Sequence, residues 1–197
     1  MFGRSRLPCL ALAAAVAMAA CDDEPLPVIA TLPDFALTDH EGQPFSSGDM
    51  TGRVWVVNFV FTSCPSICPA LTERMASIQQ RYSSRRAELG LLSFSVDPVH
   101  DTPDVLRAYA QGTRADPRMW RFLTGSTLVV SDTVVRGFRV TMGEPEPIAG
   151  GRYEIMHSSH FVLVDRARRI RGYYASDDEG MAALSRDTER LLEESPP

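Results

Sequence analysis

The sequence predicts an α/β fold in which helices flank a mixed central sheet, with a β-hairpin at its N-terminal end. Two observations predict it. The run Val54-Trp55-Val56-Val57-Asn58-Phe59-Val60-Phe61 is apolar, β-branched and aromatic, the pattern of a strand covered on both faces. After it, strand-like and helix-like segments alternate, and a hairpin and a helix close the chain.

The first 20 residues are a targeting segment: Arg4 and Arg6, then an apolar run from Leu7 to Ala20 that is short and Ala-rich for a membrane span. Met18-Ala19-Ala20-Cys21 resembles the bacterial lipobox, which predicts lipidation of Cys21, although Met18 departs from the usual Leu. Asp22 after that cysteine predicts retention at the periplasmic face of the inner membrane. Residues 21–33 are acidic and Pro-rich and read as a tether, leaving 34–197 as one domain.

Within that domain, Phe35–Thr38 and Gln43–Ser46 form a hairpin around Asp39-His40-Glu41-Gly42. The strand Val54–Phe61 runs into Cys64 and Cys68. A helix from about Pro69 to Glu88 carries Leu71, Met75 and Ile78 on one face. Leu91–Val96 is a second buried strand. Thr102 caps a helix with Pro103 at its first position. Trp120–Leu123 is a short strand, and Ser126 opens a helix reaching about Phe138. Residues 143–151 are rich in Gly, Pro and Glu and read as a loop. Tyr153–Met156, His160–Val164 and Ile170–Tyr174 are strand-like. Asp178–Glu193 is an amphipathic helix.

Composition narrows the function. Of 197 residues, 44% are hydrophobic and 23% charged, the profile of an ordinary globular core. The formal charge is -5 with no basic stripe, which argues against a nucleic-acid partner. There is no Lys, so Schiff-base chemistry is excluded. Of the four Cys, Cys9 and Cys21 fall in the N-terminal segment, so the domain keeps one pair, Cys64 and Cys68. That is a redox or metal pair rather than a disulfide scaffold.

The pair stands where a strand ends and a helix begins, the ligand-binding edge of open α/β sheets. Pro65 suits the first position of a helical turn. Pro69 disfavours a helical Cys68, so the cysteines are expected in one tight turn before the main helix. Both sulfurs then lie near a helix N-terminus, which lowers thiol pKa values. The spacing permits a disulfide, and it also permits two thiolates on one soft ion. Two cysteines exclude a four-Cys zinc site or a cluster, so a metal needs a third ligand from elsewhere. Among the four His, His40 reads as a solvated turn residue and His100 as a surface-loop residue. His157 and His160 differ by three and would point to opposite faces of a strand. Spacing alone does not choose between them.

Several segments together resemble the Sco/SenC family of thioredoxin-like, membrane-tethered copper proteins. They are Phe59–Pro69 with its Cys-Pro-x-x-Cys-Pro pattern, Ser95-Val96-Asp97-Pro98-Val99-His100-Asp101-Thr102-Pro103, Trp120–Gly125, and His157-Ser158 followed by Phe161–Asp165. The resemblance runs from about Leu32 to Leu192 and implies a thioredoxin-like fold. In that family the copper-binding His precedes the strand-ending Asp by eight residues, the spacing of His157 and Asp165. It therefore implies a copper site of Cys64, Cys68 and His157, for Cu(I) or Cu(II). His160 is a departure, expected to be a neutral strand residue. Arg166-Ala167-Arg168 replaces the family's usual Pro-x-Gly. Asp97 and Asp101 are expected near the cysteines, orienting His157 or tuning the thiolates, with helix capping and turn formation as the alternative.

The resemblance implies a metallochaperone that delivers copper to the binuclear site of cytochrome c oxidase subunit II, with periplasmic copper chaperones or thioredoxin-like reductants as further partners. The same cysteines support an alternative, a thiol–disulfide oxidoreductase that reduces the acceptor's cysteines, with Cys64 as nucleophile. A peroxidase, the third reading, would not need His157.

Overall fold

The computed structural model describes residues 24–64 and 66–194. The targeting segment, Cys9, the lipidation of Cys21 and the placement of Pro65 lie outside the described residues.

In chain order the strands are β1 (Ala30–Thr31), β2 (Ala36–Asp39), β3 (Pro44–Ser46), β4 (Val54–Val60), β5 (Leu89–Ser95), β6 (Trp120–Thr124), β7 (Met142–Ile148), β8 (Arg152–His157), β9 (Phe161–Val164) and β10 (Arg169–Tyr174). The helices are α1 (Cys68–Arg81), α2 (Pro103–Gly112), α3 (Thr127–Ser131, continued by a wider turn over Asp132–Gly137) and α4 (Asp178–Glu193). Eight strands form one sheet in the order β1-β10-β9-β4-β5-β6-β2-β3, and β7 and β8 form a separate ribbon. β4, β5 and β6 are parallel, whereas β9 runs antiparallel to β4 and β2 antiparallel to β6. The sheet is mixed, as the sequence predicts.

The two faces follow the two-residue period of the strands. Val54 and Val56 of β4 and Leu89 and Leu91 of β5 pack with Leu71 and Met75 of α1, Leu106 of α2 and Leu184 and Leu191 of α4. Trp55, Val57 and Phe59, with Leu92 and Phe94, pack with Val130 and Val134 of α3 and its extension and with Phe35 and Phe45 of the N-terminal hairpin. All seven residues of β4 are buried. Trp55 crosses the backbone of β5 so closely that a Cβ on Gly90 would lie 2.2 Å from its ring. That strand position therefore requires glycine.

Four sequence expectations are corrected. The tether is part of the fold from Leu26 onward. Leu26 and Leu32 are buried, β1 pairs with β10, and the buried Arg171 guanidinium donates to the Leu26 and Pro27 carbonyls. α1 ends at Arg81, not Glu88, where Ser83–Arg85 tightens into a short 3-10 turn; serines compete for backbone hydrogen bonds and favour turns. Residues 142–148 are a strand despite Pro145 and Pro147, because a two-stranded ribbon has only edge strands, which tolerate proline. His40 is buried because the β2 hairpin folds onto β6. Its Nδ1 accepts the Phe122 N–H at 3.2 Å, and burial lowers its pKa.

The turn that replaces Pro-x-Gly holds together by other means. Arg168 takes φ 61°, a conformation glycine adopts freely, and Asp165 accepts the N–H groups of Ala167 and Arg169, each at 2.9 Å. Arg169 and the buried Arg171 pair with the same carboxylate, at 2.7 and 2.9 Å.

Candidate metal centre

The site is built where β4 ends. The chain leaves the sheet at Phe61, the Cys64 N–H returns to the Phe61 carbonyl at 3.2 Å, and α1 begins at Cys68 with Pro69 at its second position. Cys64 is therefore in a turn and half-buried, while Cys68 opens the helix and is buried. Both are free thiols. The Cys68 N–H points at the Cys64 sulfur, 3.4 Å away, which is the use of a helix N-terminus that the sequence suggests.

His157 arrives from the last position of β8. Its Nε2 is 3.4 Å from the Cys68 sulfur. Its Nδ1 is 3.1 Å from the Ser158 carbonyl. A carbonyl only accepts, so Nδ1 donates to it, and this bond holds the ring with Nε2 facing the sulfurs, the nitrogen available to a metal. The donor atoms of Cys64, Cys68 and His157 all lie within 4.8 Å of one another. Ligands around one three-coordinate ion at usual metal–sulfur and metal–nitrogen lengths are spaced about 4 Å apart. The three side chains thus fit one ion with little movement.

The two thiols are unequal. Cys64 is lowered to about 3, chiefly because the Cys68 thiol donates to its sulfur. Burial opposes this, and His157 with the N–H groups of Ser66 and Cys68 adds to it. Cys68 is raised, first by that same bond to Cys64 and then by burial. The pair thus favours the thiolate at Cys64, and both sulfurs are deprotonated when they hold an ion.

The two aspartates lie close by, but neither bonds directly to His157, whose Nδ1 meets the Ser158 carbonyl; the charge of Asp101 does act on the thiols, helping to raise Cys68. Asp101, fully buried, accepts the Thr62 N–H and hydroxyl and the Ser95 hydroxyl, the last two at 2.6 Å. It holds the chain two residues before Cys64. Burial raises its pKa. Asp97 accepts His100 Nδ1–H at 2.9 Å and the Tyr153 hydroxyl. His160 precedes β9 rather than lying in it, is exposed, and contacts Ser158.

Sequence reasoning missed Tyr153 and Glu154. Tyr153 meets the Ser63 hydroxyl at 3.0 Å, and Glu154 accepts from the Ser66 hydroxyl at 2.7 Å, so both join the ribbon to the cysteine turn. A signal for Tyr153 existed. Tyr153, Ile155 and His157 alternate along β8 and share one face, and Ile155 is buried.

The fold and the three convergent donors define a thioredoxin-like domain with a soft-metal site at the end of its central strand. Comparison with known proteins places that domain. The family model described as SCO1/SenC matches residues 25–193, and the chain belongs to this family. The SCO1 protein homolog of Bacillus subtilis is 31% identical over 131 residues, 66% of this chain and 66% of that one, so the match spans just under two thirds of the relative. The structure of BsSco, described as a member of the Sco family of cytochrome c oxidase assembly proteins with a disulfide switch, superposes with TM-score 0.73 at 25% identity. It covers 87% of this chain and 98% of that one. Yeast Sco1 with copper bound superposes with TM-score 0.68 at 25% identity, covering 85% and 91%.

Proposed function

We propose that this chain binds copper through Cys64, Cys68 and His157 and delivers it to the binuclear copper site of cytochrome c oxidase subunit II. The observation that carries the reading is the convergence of two sulfurs and one imidazole nitrogen within 4.8 Å. Two soft thiolates and an imidazole in a three-coordinate array suit Cu(I). The cargo must also leave, and the half-buried Cys64 gives an acceptor's thiolate a sulfur-side route for ligand exchange. The SCO1/SenC match and the copper-bound yeast relative support the same reading. Arg4, Arg6, the apolar run that follows them and Cys21 support a lipid tether at the periplasmic face of the inner membrane. Labelling with a fatty acid, compared between the wild type and Cys21→Ser, tests that tether.

Anaerobic Cu(I) and Cu(II) titration of residues 22–197, wild type beside His157→Ala, tests the site. The wild type takes up one copper, and His157→Ala binds it more weakly while keeping thiol exchange. Equal affinity in the two proteins would refute the assignment.

A second reading, thiol–disulfide exchange with the acceptor's cysteines, is favoured by the inequality of the thiols. The Cys64 thiolate is a ready nucleophile for that exchange, but its stabilisation also favours the reduced pair over the disulfide, which makes the pair a weak reductant and leaves the copper reading first. Both roles need the same sulfurs, and Cys64→Ser or Cys68→Ser abolishes both.

A further inference from the structure

The third ligand is carried by an element outside the main sheet. Among the described residues β7 and β8 pair only with each other, so no ladder of the main sheet fixes where His157 sits. We propose that the hydrogen bond from Tyr153 to Asp97 is a latch that positions His157 over the two sulfurs. Its metal consequence rests on the copper reading above; the positioning itself does not.

The Tyr153 hydroxyl joins three segments. It belongs to β8, it donates to the Asp97 carboxylate in the loop between β5 and α2, and it meets the Ser63 hydroxyl at 3.0 Å, next to Cys64. The anchor is rigid. Asp97 is 3% exposed, its N–H donates to Ser95, and its carbonyl accepts the His100 and Asp101 N–H groups. His100 Nδ1 meets both oxygens of the same carboxylate, at 2.9 and 3.0 Å, and lies 3.2 Å from the Tyr153 hydroxyl.

Ring packing carries the position along β8. Tyr153 stacks on the fully buried Phe61 at 6.0 Å and 19°. His157 meets the same ring edge-on at 5.9 Å and 86°. Tyr153 and His157 thus pack on one buried ring from the same face of one strand, so a tilt of Tyr153 would carry the imidazole with it. Tyr153 is a positioning residue: it touches neither sulfur.

The test is a double-mutant cycle on the full chain with Tyr153→Phe, Asp97→Ala and the double variant. Tyr153→Phe keeps the ring and removes only the hydroxyl. The first readout is amide hydrogen exchange in the reduced, metal-free protein. We expect about tenfold faster exchange over residues 152–157 in Tyr153→Phe, the effect of losing one hydrogen bond to a charged group. The double variant should exchange no faster than the faster single variant. Exchange in β4 and β5 should stay as in the wild type. The second readout is Cu(I) affinity, expected to fall about 10-fold or more in Tyr153→Phe, as when a group that orients a ligand is lost.

Unchanged exchange over 152–157 would overturn the proposal, and so would faster exchange spread over every element, which marks plain destabilisation. Wild-type protein that takes up no Cu(I) would sink the copper reading, and the exchange measurement would still decide the latch. Wild-type copper affinity in Tyr153→Phe with a loosened ribbon would overturn the link from latch to ligand.

Discussion

The ionisation of Cys64 can be read directly as a rate. With its pKa lowered to about 3 against an ordinary 9.0, Cys64 is a thiolate throughout pH 5–8. Intrinsic nucleophilicity falls with thiol pKa at a slope of about 0.45, so six units make this thiolate about 500-fold less reactive than an ordinary one. An ordinary thiol is only about 1% ionised at pH 7 and about 0.01% at pH 5. The two therefore react within about fivefold of each other at pH 7, whereas at pH 5 Cys64 leads by about 20-fold. The assay is iodoacetamide modification of reduced, metal-free residues 22–197, whose only thiols are Cys64 and Cys68. We expect a nearly flat rate from pH 5 to 8, one fast site, and labelling at Cys64. Cys68→Ala removes the largest cause of the shift, and its rate should regain a rise with pH. A wild-type rate that climbs tenfold per pH unit from 5 to 8 would refute the assignment of a resting thiolate.

Three further outcomes test the frame around the site. Asp101→Ala strands the Thr62 N–H and hydroxyl and the Ser95 hydroxyl in a buried place, and should cost about 3 kcal/mol in urea unfolding, with weaker copper binding because the chain before Cys64 loosens. Asp165 works in the opposite pH direction to a destabilised acid. Burial would raise its pKa, but bonds from Arg169, Arg171 and Ala167 outweigh this and hold it below 3.8. Its contribution is thus present above pH 3.8 and lost as pH falls through the lower folded value. Asp165→Asn should lower stability at neutral pH and flatten the acid limb of a stability–pH curve. Gly90→Ala drives a Cβ into the Trp55 ring, whose Nε1–H is fixed on the Met50 carbonyl at 2.8 Å. It should cost about 1–3 kcal/mol in urea unfolding and shift tryptophan fluorescence.

Local chemistry was legible along most of the chain. Thr102 and Ser126 cap their helices through their own side chains, and α4 spans the residues its pattern indicates. β7 was misread because proline argues against a strand unless the strand is known to lie at an edge, and edges are set by pairing partners elsewhere. The buried His40 was misread for the same reason: its turn looks solvated until β2 is laid against β6.

The dithiol itself needed only the sequence. An apolar strand followed by Cys64 and Cys68 before a helix dictates two sulfurs at a helix N-terminus, since capping and proline geometry act over a few residues. The resemblance pointed to His157 as their third partner, and the tertiary structure shows how that residue reaches them. His157 lies 89 residues beyond Cys68 in a ribbon with no place in the main sheet, and it reaches the site because Tyr153, Phe61 and Asp97 hold that ribbon against the turn. Periodicity and capping do not act over that separation, and packing does.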